Sequence, residues 1–251
     1  MKAGGARGMS TGKKRGTLYG VGVGPGDPSL LTLKAVKTLG LADVVAAPDT
    51  GGERTALRIA GDYIAGKEIL LCPAPMTRDP RRLAQSRRES ADLLCARLEA
   101  GRNVAFVTLG DPTVYSTYMC LHRLVRRRGY EAEIVPGVPS FCAAAAALGV
   151  ALCEGGEALH IFPASYEGLA EGLRLKGRKV LMKSGSRLGE VRGLLREAGA
   201  AGRTQMAECC GMENERLYRS LDDAGDDASY FSVLLVDDAD GDAKEDAKEK
   251  E

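Results

Sequence analysis

The chain has 251 residues, of which 44% are apolar and 27% are charged, and a mean hydropathy of −0.16. These values are typical of a soluble globular protein, and no apolar run approaches the roughly 18 residues of a membrane-spanning helix. Membrane association is therefore not expected. The seven cysteines contain no C-x-x-C pair, so we expect reduced thiols in a cytoplasmic protein rather than a disulfide framework or a zinc knuckle.

The formal net charge of +1 hides two oppositely charged ends. Residues 1–15 are basic, contain no apolar signal-peptide core, and are predicted to form a disordered arm. Residues 238–251 are predicted to form a disordered charged tail of low complexity. The region between them is nearly neutral, so nucleic acid is not an expected partner.

The first half of the chain alternates between predicted strands and helices. A strand over 17–23 leads into a Gly/Pro bend, after which Asp27 caps a helix that begins at Pro28 and stops at Gly40. The following elements are strand 43–47 (closed by Pro48), helix 53–64, strand 68–72, helix 79–100, strand 103–109, a helix ending at Arg126–Arg128, and strand 131–135. This alternation predicts an α/β domain with a largely parallel sheet.

The Pro/Gly-rich segment 136–140 predicts a junction between an N-terminal domain of residues 16–135 and a C-terminal domain of residues 136–237. The second half is predicted to contain helix 141–148, strand 159–162, helix 166–173, strand 179–183, helix 187–198, strand 204–209 and strand 230–236. Its closing strands leave no room for crossover helices, so a parallel sheet is less strongly predicted here.

Two bends follow strands at positions where ligands commonly bind. The bend at 22–27 reads G-V-G-P-G-D, which differs from the dinucleotide motif G-x-G-x-x-G, and Pro25 offers no N–H to a pyrophosphate. Asp43 has the spacing of a ribose-binding acid but begins a strand, which disfavours a nicotinamide oxidoreductase. The bend at 109–112 lies at the carboxyl end of a buried strand, and residues 114–117 add hydroxyls at the next helix start.

Three motifs in order, at 22–27, 109–112 and 134–137, resemble those of the tetrapyrrole methylases. Longer stretches resemble the branch that methylates C20 of precorrin-2 or cobalt-factor II: residues 18–28, 110–119, 135–144, 208–212 and 230–232. The resemblance covers about residues 16 to 236.

The resemblance implies a two-domain α/β fold, distinct from the Rossmann methyltransferases, with S-adenosylmethionine folded into a cleft between the domains. It also implies C-methylation of a tetrapyrrole in cobalamin biosynthesis, with S-adenosylhomocysteine as the product, by a homodimer. The residues that match the family's cofactor contacts are Pro25, Leu109, Gly110, Asp111, Val114, Ser116, Thr117, Pro139, Ser140, Met182, Cys210 and Ser232. Pro139 departs from the Thr or Ser that relatives commonly have.

Catalytic and substrate-binding residues are less strongly marked. Asp49 is about one position displaced from an acid that some uroporphyrinogen-methylating relatives have, and is a candidate acceptor for the proton lost after methylation. Lys183, Arg187 and the arginines near residue 126 are candidates for holding substrate carboxylates. No metal site is predicted, and Cys209–Cys210 are interpreted as small buried residues.

Several alternative functions are compatible with the sequence. Another precorrin C-methylation is compatible with the same motifs. Methylation of RNA or of a protein by the same fold needs a differently shaped entrance to the substrate-binding site. The nearly neutral central region disfavours RNA as the substrate. A non-catalytic sensor of the tetrapyrrole or of the cofactor is also compatible.

Overall fold

A computed structural model describes residues 14–51, 54–225 and 228–238. Most of the predicted basic arm, nearly all of the predicted charged tail, and Glu53 of the predicted second helix lie outside these residues. The chain divides into two compact units. Among the described residues, unit 1 contains those up to Val21 together with Leu33–Thr108 and Tyr115–Pro136, and unit 2 contains Gly22–Thr32, Leu109–Val114 and those from Gly137 onward.

Unit 1 is built on a five-stranded sheet of order β3-β2-β4-β1-β5. The pairings β1–β5, β2–β3 and β2–β4 are parallel, which confirms the predicted α/β arrangement. The elements are β1 (Leu18–Gly22), α1 (Leu33–Leu41), β2 (Val44–Asp49), α2 (Thr55–Ile59), β3 (Glu68–Pro73), α3 (Pro80–Glu99), β4 (Val104–Thr108), α4 (Tyr118–Arg127) and β5 (Ala132–Val135).

The core of unit 1 follows from the apolar sequence of its strands. All five residues of β4 are buried, as expected for a strand covered on both faces. Phe106 of β4 packs against the fully buried ring of Tyr118, with 5.6 Å between ring centroids, and Leu94 and Leu98 of α3 join the same cluster. Helix α4 therefore starts with an aromatic side chain anchored in the core.

Unit 2 contains a mixed five-stranded sheet of order β6-β7-β10-β8-β9. The β6–β7 pair is parallel, and β7–β10, β10–β8 and β8–β9 are antiparallel, as the missing crossover helices suggested. The elements are α5 (Ser140–Leu148), β6 (Leu159–Pro163), α6 (Leu169–Leu173), β7 (Arg178–Met182), α7 (Leu188–Glu197), β8 (Thr204–Glu208), β9 (Arg216–Tyr218) and β10 (Ser232–Val236).

The predicted helix from Pro28 to Gly40 is wrong at both ends. Asp27 does act as a cap, since its carboxylate accepts a hydrogen bond of 2.7 Å from the N–H of Ser29, but it caps only a 3-10 turn over Pro28–Leu30. The backbone is extended at Leu31, and α1 starts two residues later. Gly40 does not end α1, because a helix of this length continues through a single glycine at modest cost.

Strand β2 does not end at Pro48 as predicted but continues to Asp49. A proline is tolerated at position 48 because β4 pairs with β2 only as far as Ala46. The missing N–H of Pro48 therefore costs no hydrogen bond to β4. Helices α2 and α6 and strand β10 are also shorter than predicted. Strand β9 was not predicted, because it has only three residues and none of them is buried.

An ion cluster ties β3 to the end of α3. The Glu68 carboxylate accepts hydrogen bonds from Arg102 and from Arg97, the latter at 3.0 Å from Nε and 2.9 Å from Nη2. These hydrogen bonds lower the pKa of the Glu68 carboxyl below its ordinary value of 4.5, and the bond from Arg102 has a larger effect than the bonds from Arg97. Because the pKa is lowered in the folded state, this stabilisation is present above about pH 4.5 and is lost as the pH falls through the folded-state value.

Replacement of Glu68 by glutamine should lower the free energy of unfolding at pH 7 by about 1 kcal/mol, since the carboxylate is one-third exposed and solvent screens its ion pairs. Denaturant unfolding at pH 7 and pH 3.5 measures the effect. The difference between wild type and variant should shrink at the lower pH. A difference that is constant across both pH values would contradict an ionic contribution.

Candidate functional site

Two of the glycine bends pair with each other inside unit 2. The N–H of Gly110 donates to the carbonyl of Gly24 at 2.8 Å, and the N–H of Gly24 donates to the carbonyl of Gly110 at 3.3 Å. Both residues have positive φ, +78° at Gly24 and +68° at Gly110, a backbone region that favours glycine. The bends at 22–27 and 109–112 are thus joined through their main chains.

The third bend lies against the other two with no room for side chains. A Cβ atom on Gly137 would lie 2.2 Å from the carbonyl oxygen of Gly110 and 2.7 Å from the Cα of Gly22. A Cβ on Gly22 would lie 2.6 Å from the same Gly110 oxygen. Each motif therefore contributes one glycine to a common backbone contact, called the glycine junction below (Gly22, Gly110 and Gly137).

A fourth bend, after β8, approaches the first one equally closely. A Cβ on Gly26 would lie 2.5 Å from the carbonyl oxygen of Cys210, and one on Gly211 would lie 2.7 Å from the backbone nitrogen of Asp27. Gly211 has a φ of +76°. Cys210 was predicted only through the family resemblance, whereas the local sequence signal for this bend is Gly211, which follows the cysteine pair.

The side chain of Asp111 fixes the glycine junction from one side. It is 8% exposed. One oxygen, Oδ1, accepts from the N–H of Thr113 at 2.8 Å and from its hydroxyl, while Oδ2 accepts from the N–H of Gly137 at 3.0 Å. Because both oxygens are engaged within the protein, the carboxylate positions the second and third bends relative to each other.

An apolar cluster connects these bends to the sheet of unit 2. Val114 and Val138 pack against a buried group that includes Met182 of β7 and Cys210. Burial raises the pKa of the Cys210 thiol to about 12, so the group is protonated at neutral pH. Cys209 and Cys210 are both free and buried, which confirms their interpretation as small buried residues.

Two features of unit 2 offer hydrogen bonds to a polar ligand. Pro139 precedes α5 without a side-chain capping bond, which leaves N–H groups at the helix start without a side-chain partner. The hydroxyl of Ser184, two residues after Met182, is completely buried and has no hydrogen-bond partner in the described part of the chain. A buried hydroxyl without a partner is costly, so this position fits contact with a ligand.

Comparison with known proteins identifies the family. The family described as Tetrapyrrole (Corrin/Porphyrin) Methylases matches residues 17–224. The chain belongs to this family. Both the recognition of the family from its motifs and the predicted α/β fold class are thereby confirmed.

Three relatives of this tetrapyrrole methylase are informative. It is 35% identical over 230 residues to a protein of Salmonella typhimurium named cobalt-precorrin-2 C(20)-methyltransferase, covering 88% of this chain and 96% of that one. It is 33% identical over 234 residues to a Sinorhizobium protein named precorrin-2 C(20)-methyltransferase, covering 88% and 95%. The solved uroporphyrin-III C-methyltransferase of Thermus thermophilus, complexed with S-adenosyl homocysteine, matches with a TM-score of 0.66 at 25% identity, covering 88% and 97%.

The structure groups ten of the twelve predicted cofactor-binding residues of the methylase in unit 2: Pro25, Leu109, Gly110, Asp111, Val114, Pro139, Ser140, Met182, Cys210 and Ser232. The other two, Ser116 and Thr117, lie in unit 1. The Ser116 hydroxyl is 3.0 Å from that of Thr108 and accepts from the N–H of Tyr118, so it stabilises the turn between β4 and α4. The buried Ser232 hydroxyl donates to the carbonyl of Ser229.

The two predicted substrate-binding residues of unit 2 already have contacts within it. Arg187 donates to both oxygens of Glu190, at 2.8 Å and 2.6 Å, and to the carbonyl of Ala164 at 3.1 Å. Glu190 raises the pKa of the guanidinium. The ammonium of Lys183 lies 5.9 Å from the ring centroid of Tyr230. Arg187 would have to give up its ion pair to bind a substrate carboxylate bidentately.

Asp49, the predicted proton acceptor, lies in an open groove of about 740 Å³ within unit 1. Its carboxylate accepts a long hydrogen bond of 3.4 Å from the N–H of Gly51. The groove, called the β2–α3 groove below, is bounded by the chain after β2, by residues 73–75 at the end of β3 and by one face of α3 that includes Arg81 and Arg82. These two arginines were not predicted as site residues, although Asp79 and Pro80 indicate the helix start just before them.

Proposed function

We propose that this tetrapyrrole methylase transfers the methyl group of S-adenosylmethionine to C20 of precorrin-2 or of its cobalt-bearing counterpart, cobalt-factor II, in cobalamin biosynthesis. The Salmonella and Sinorhizobium relatives, both matched over nearly their whole length, have this reaction in their names. The observation that carries the proposal is the glycine junction. It joins the three motifs of the family into one arrangement of backbone bends within unit 2.

Cofactor binding by unit 2 is supported by a relative and by the chemistry of the bends. The Thermus protein was solved with S-adenosyl homocysteine, the demethylated form of the cofactor. The first N–H groups of α5 suit a carboxylate or a hydroxyl, and the hydroxyl of Ser184 suits any polar atom. When bound, S-adenosylmethionine would supply a methyl group on a positively charged sulfur: an electron-rich carbon bonds to the methyl carbon, and the sulfur leaves as part of S-adenosylhomocysteine.

The chain's own contribution is mainly alignment and exclusion of water. A meso carbon of a reduced tetrapyrrole is already electron-rich, so no strong base is required before methyl transfer. The carboxylate of Asp49 is the proposed acceptor of the proton that leaves the methylated carbon, since it lies in the β2–α3 groove.

The enzyme is further proposed to be a cytoplasmic homodimer, as the family resemblance suggests, and sedimentation tests its oligomeric state. Among the described residues, no helix has both the length and the apolarity to cross a membrane.

The deciding experiment is anaerobic incubation of the protein with S-adenosylmethionine carrying a ¹³C-methyl group and with precorrin-2, cobalt-factor II or uroporphyrinogen III. We expect one added methyl group, assigned by NMR to C20, with precorrin-2 or cobalt-factor II and none with uroporphyrinogen III. Methylation at another carbon would indicate a different step of corrin synthesis. Cofactor binding without turnover on any macrocycle would indicate a sensor.

A further inference from the structure

We infer that the β2–α3 groove binds carboxylate side chains of the tetrapyrrole through Arg81 and Arg82; this inference rests on the proposed function. The groove lies where β2 and β3 end, which is the edge of a parallel sheet at which α/β proteins bind ligands. Its volume of about 740 Å³ is within the usual range for small-molecule sites.

Two arginines, Arg81 and Arg82, and two carboxylates, Asp49 and Glu89, line the groove. Neither the Arg81 nor the Arg82 guanidinium has an ion pair or hydrogen bond in the parts of the chain that the structure describes. Glu89, also on the groove wall, accepts a hydrogen bond of 2.8 Å from Gln85 of the same helix. The two guanidinium groups are therefore available, unlike that of Arg187, which is paired with Glu190.

The chemistry of a reduced tetrapyrrole matches these groups. Its ring substituents end in carboxylates, and the planar guanidinium of arginine binds a carboxylate through two parallel hydrogen bonds. Its pyrrole N–H groups are donors, and Asp49 supplies an acceptor in the same groove. The two arginines can therefore bind the carboxylates of the ligand, and Asp49 can accept from its pyrrole N–H groups. Lys183 and Arg187 are both cations and supply no acceptor for those N–H groups.

The test compares two double variants of the same helix. Arg81→Ala/Arg82→Ala removes both cations from the groove, and Arg87→Ala/Arg88→Ala removes two cations of α3 that do not line it. With whichever macrocycle the wild type methylates, we expect the groove variant to raise KM at least tenfold. The control should stay within about twofold, since charge-assisted hydrogen bonds to the ligand are lost only in the first. The KM of the groove variant should also depend less on salt.

Two further measurements separate the possible outcomes. The affinity for S-adenosylhomocysteine, measured by calorimetry, should be equal in the wild type and in both variants. Equal affinities would show that unit 2 is intact in the variants. Fluorescence titration with uroporphyrin III, a stable acidic porphyrin, measures macrocycle binding even without turnover and should weaken only in the groove variant. Unchanged KM and unchanged porphyrin binding, or equal losses in the control, would overturn the inference. Failure of the wild type to methylate any tetrapyrrole would instead refute the proposed function.

Discussion

Replacement of Gly137 by alanine should remove measurable binding of S-adenosylhomocysteine and lower the free energy of unfolding by about 2–3 kcal/mol. The added methyl group would lie 2.2 Å from the carbonyl oxygen of Gly110 and 2.7 Å from the Cα of Gly22. Both neighbours are main-chain atoms, and Gly110 is further held by its two hydrogen bonds to Gly24. The clash can be relieved only by separating the bends.

Thermal unfolding and calorimetric titration with S-adenosylhomocysteine measure these effects. For a domain of this size a loss of 2–3 kcal/mol corresponds to a fall in Tm of roughly 4–12 °C. The matched control is Gly189→Ala in α7, where a Cβ meets no atom within 4 Å and alanine favours the helix. The control should retain cofactor affinity and gain a little stability. A Gly137→Ala protein with the Tm and cofactor affinity of the wild type would show that the glycine junction is not required.

The sequence predicted most of the elements of unit 1 because their signals are local. The apolar run of β4 and the Gly/Pro bends after β1, β4 and β5 can be recognised without any tertiary information. The error at Pro28 has a local cause as well, since Asp27 caps a 3-10 turn as effectively as it caps an α-helix. The continuation of β2 through Pro48 depends instead on where β4 stops pairing, which is not local.

The candidate site was harder to predict because it consists of contacts between distant segments. The motifs identified Gly22, Gly110 and Gly137 as parts of bends, but nothing in the spacing indicates that their backbones touch. Arg187 and Glu190 have helical i, i+3 spacing, so their ion pair could have been expected from the sequence. The β2–α3 groove could not, because it requires the end of β2 to lie beside the start of α3.

Asp111 should prove to be a positioning residue whose loss weakens both the fold and cofactor binding. Asp111→Ala removes the buried carboxylate that accepts hydrogen bonds from the N–H groups of Thr113 and Gly137, so both N–H groups lose their acceptor. We expect a loss of about 2 kcal/mol in the free energy of unfolding. Affinity for S-adenosylhomocysteine should fall by at least tenfold, because the second and third bends are no longer held together.

Asp111→Asn distinguishes this role from a direct contact with the cofactor. Its remaining oxygen can accept from the N–H of Thr113, but its amide group would place N–H donors opposite the N–H of Gly137. We therefore expect the asparagine variant to lose Tm and affinity together, as the alanine variant does. A direct contact would lower affinity while leaving Tm unchanged. Asp222→Ala, which removes only an exposed ion pair with Arg196, is the control and should alter neither quantity appreciably.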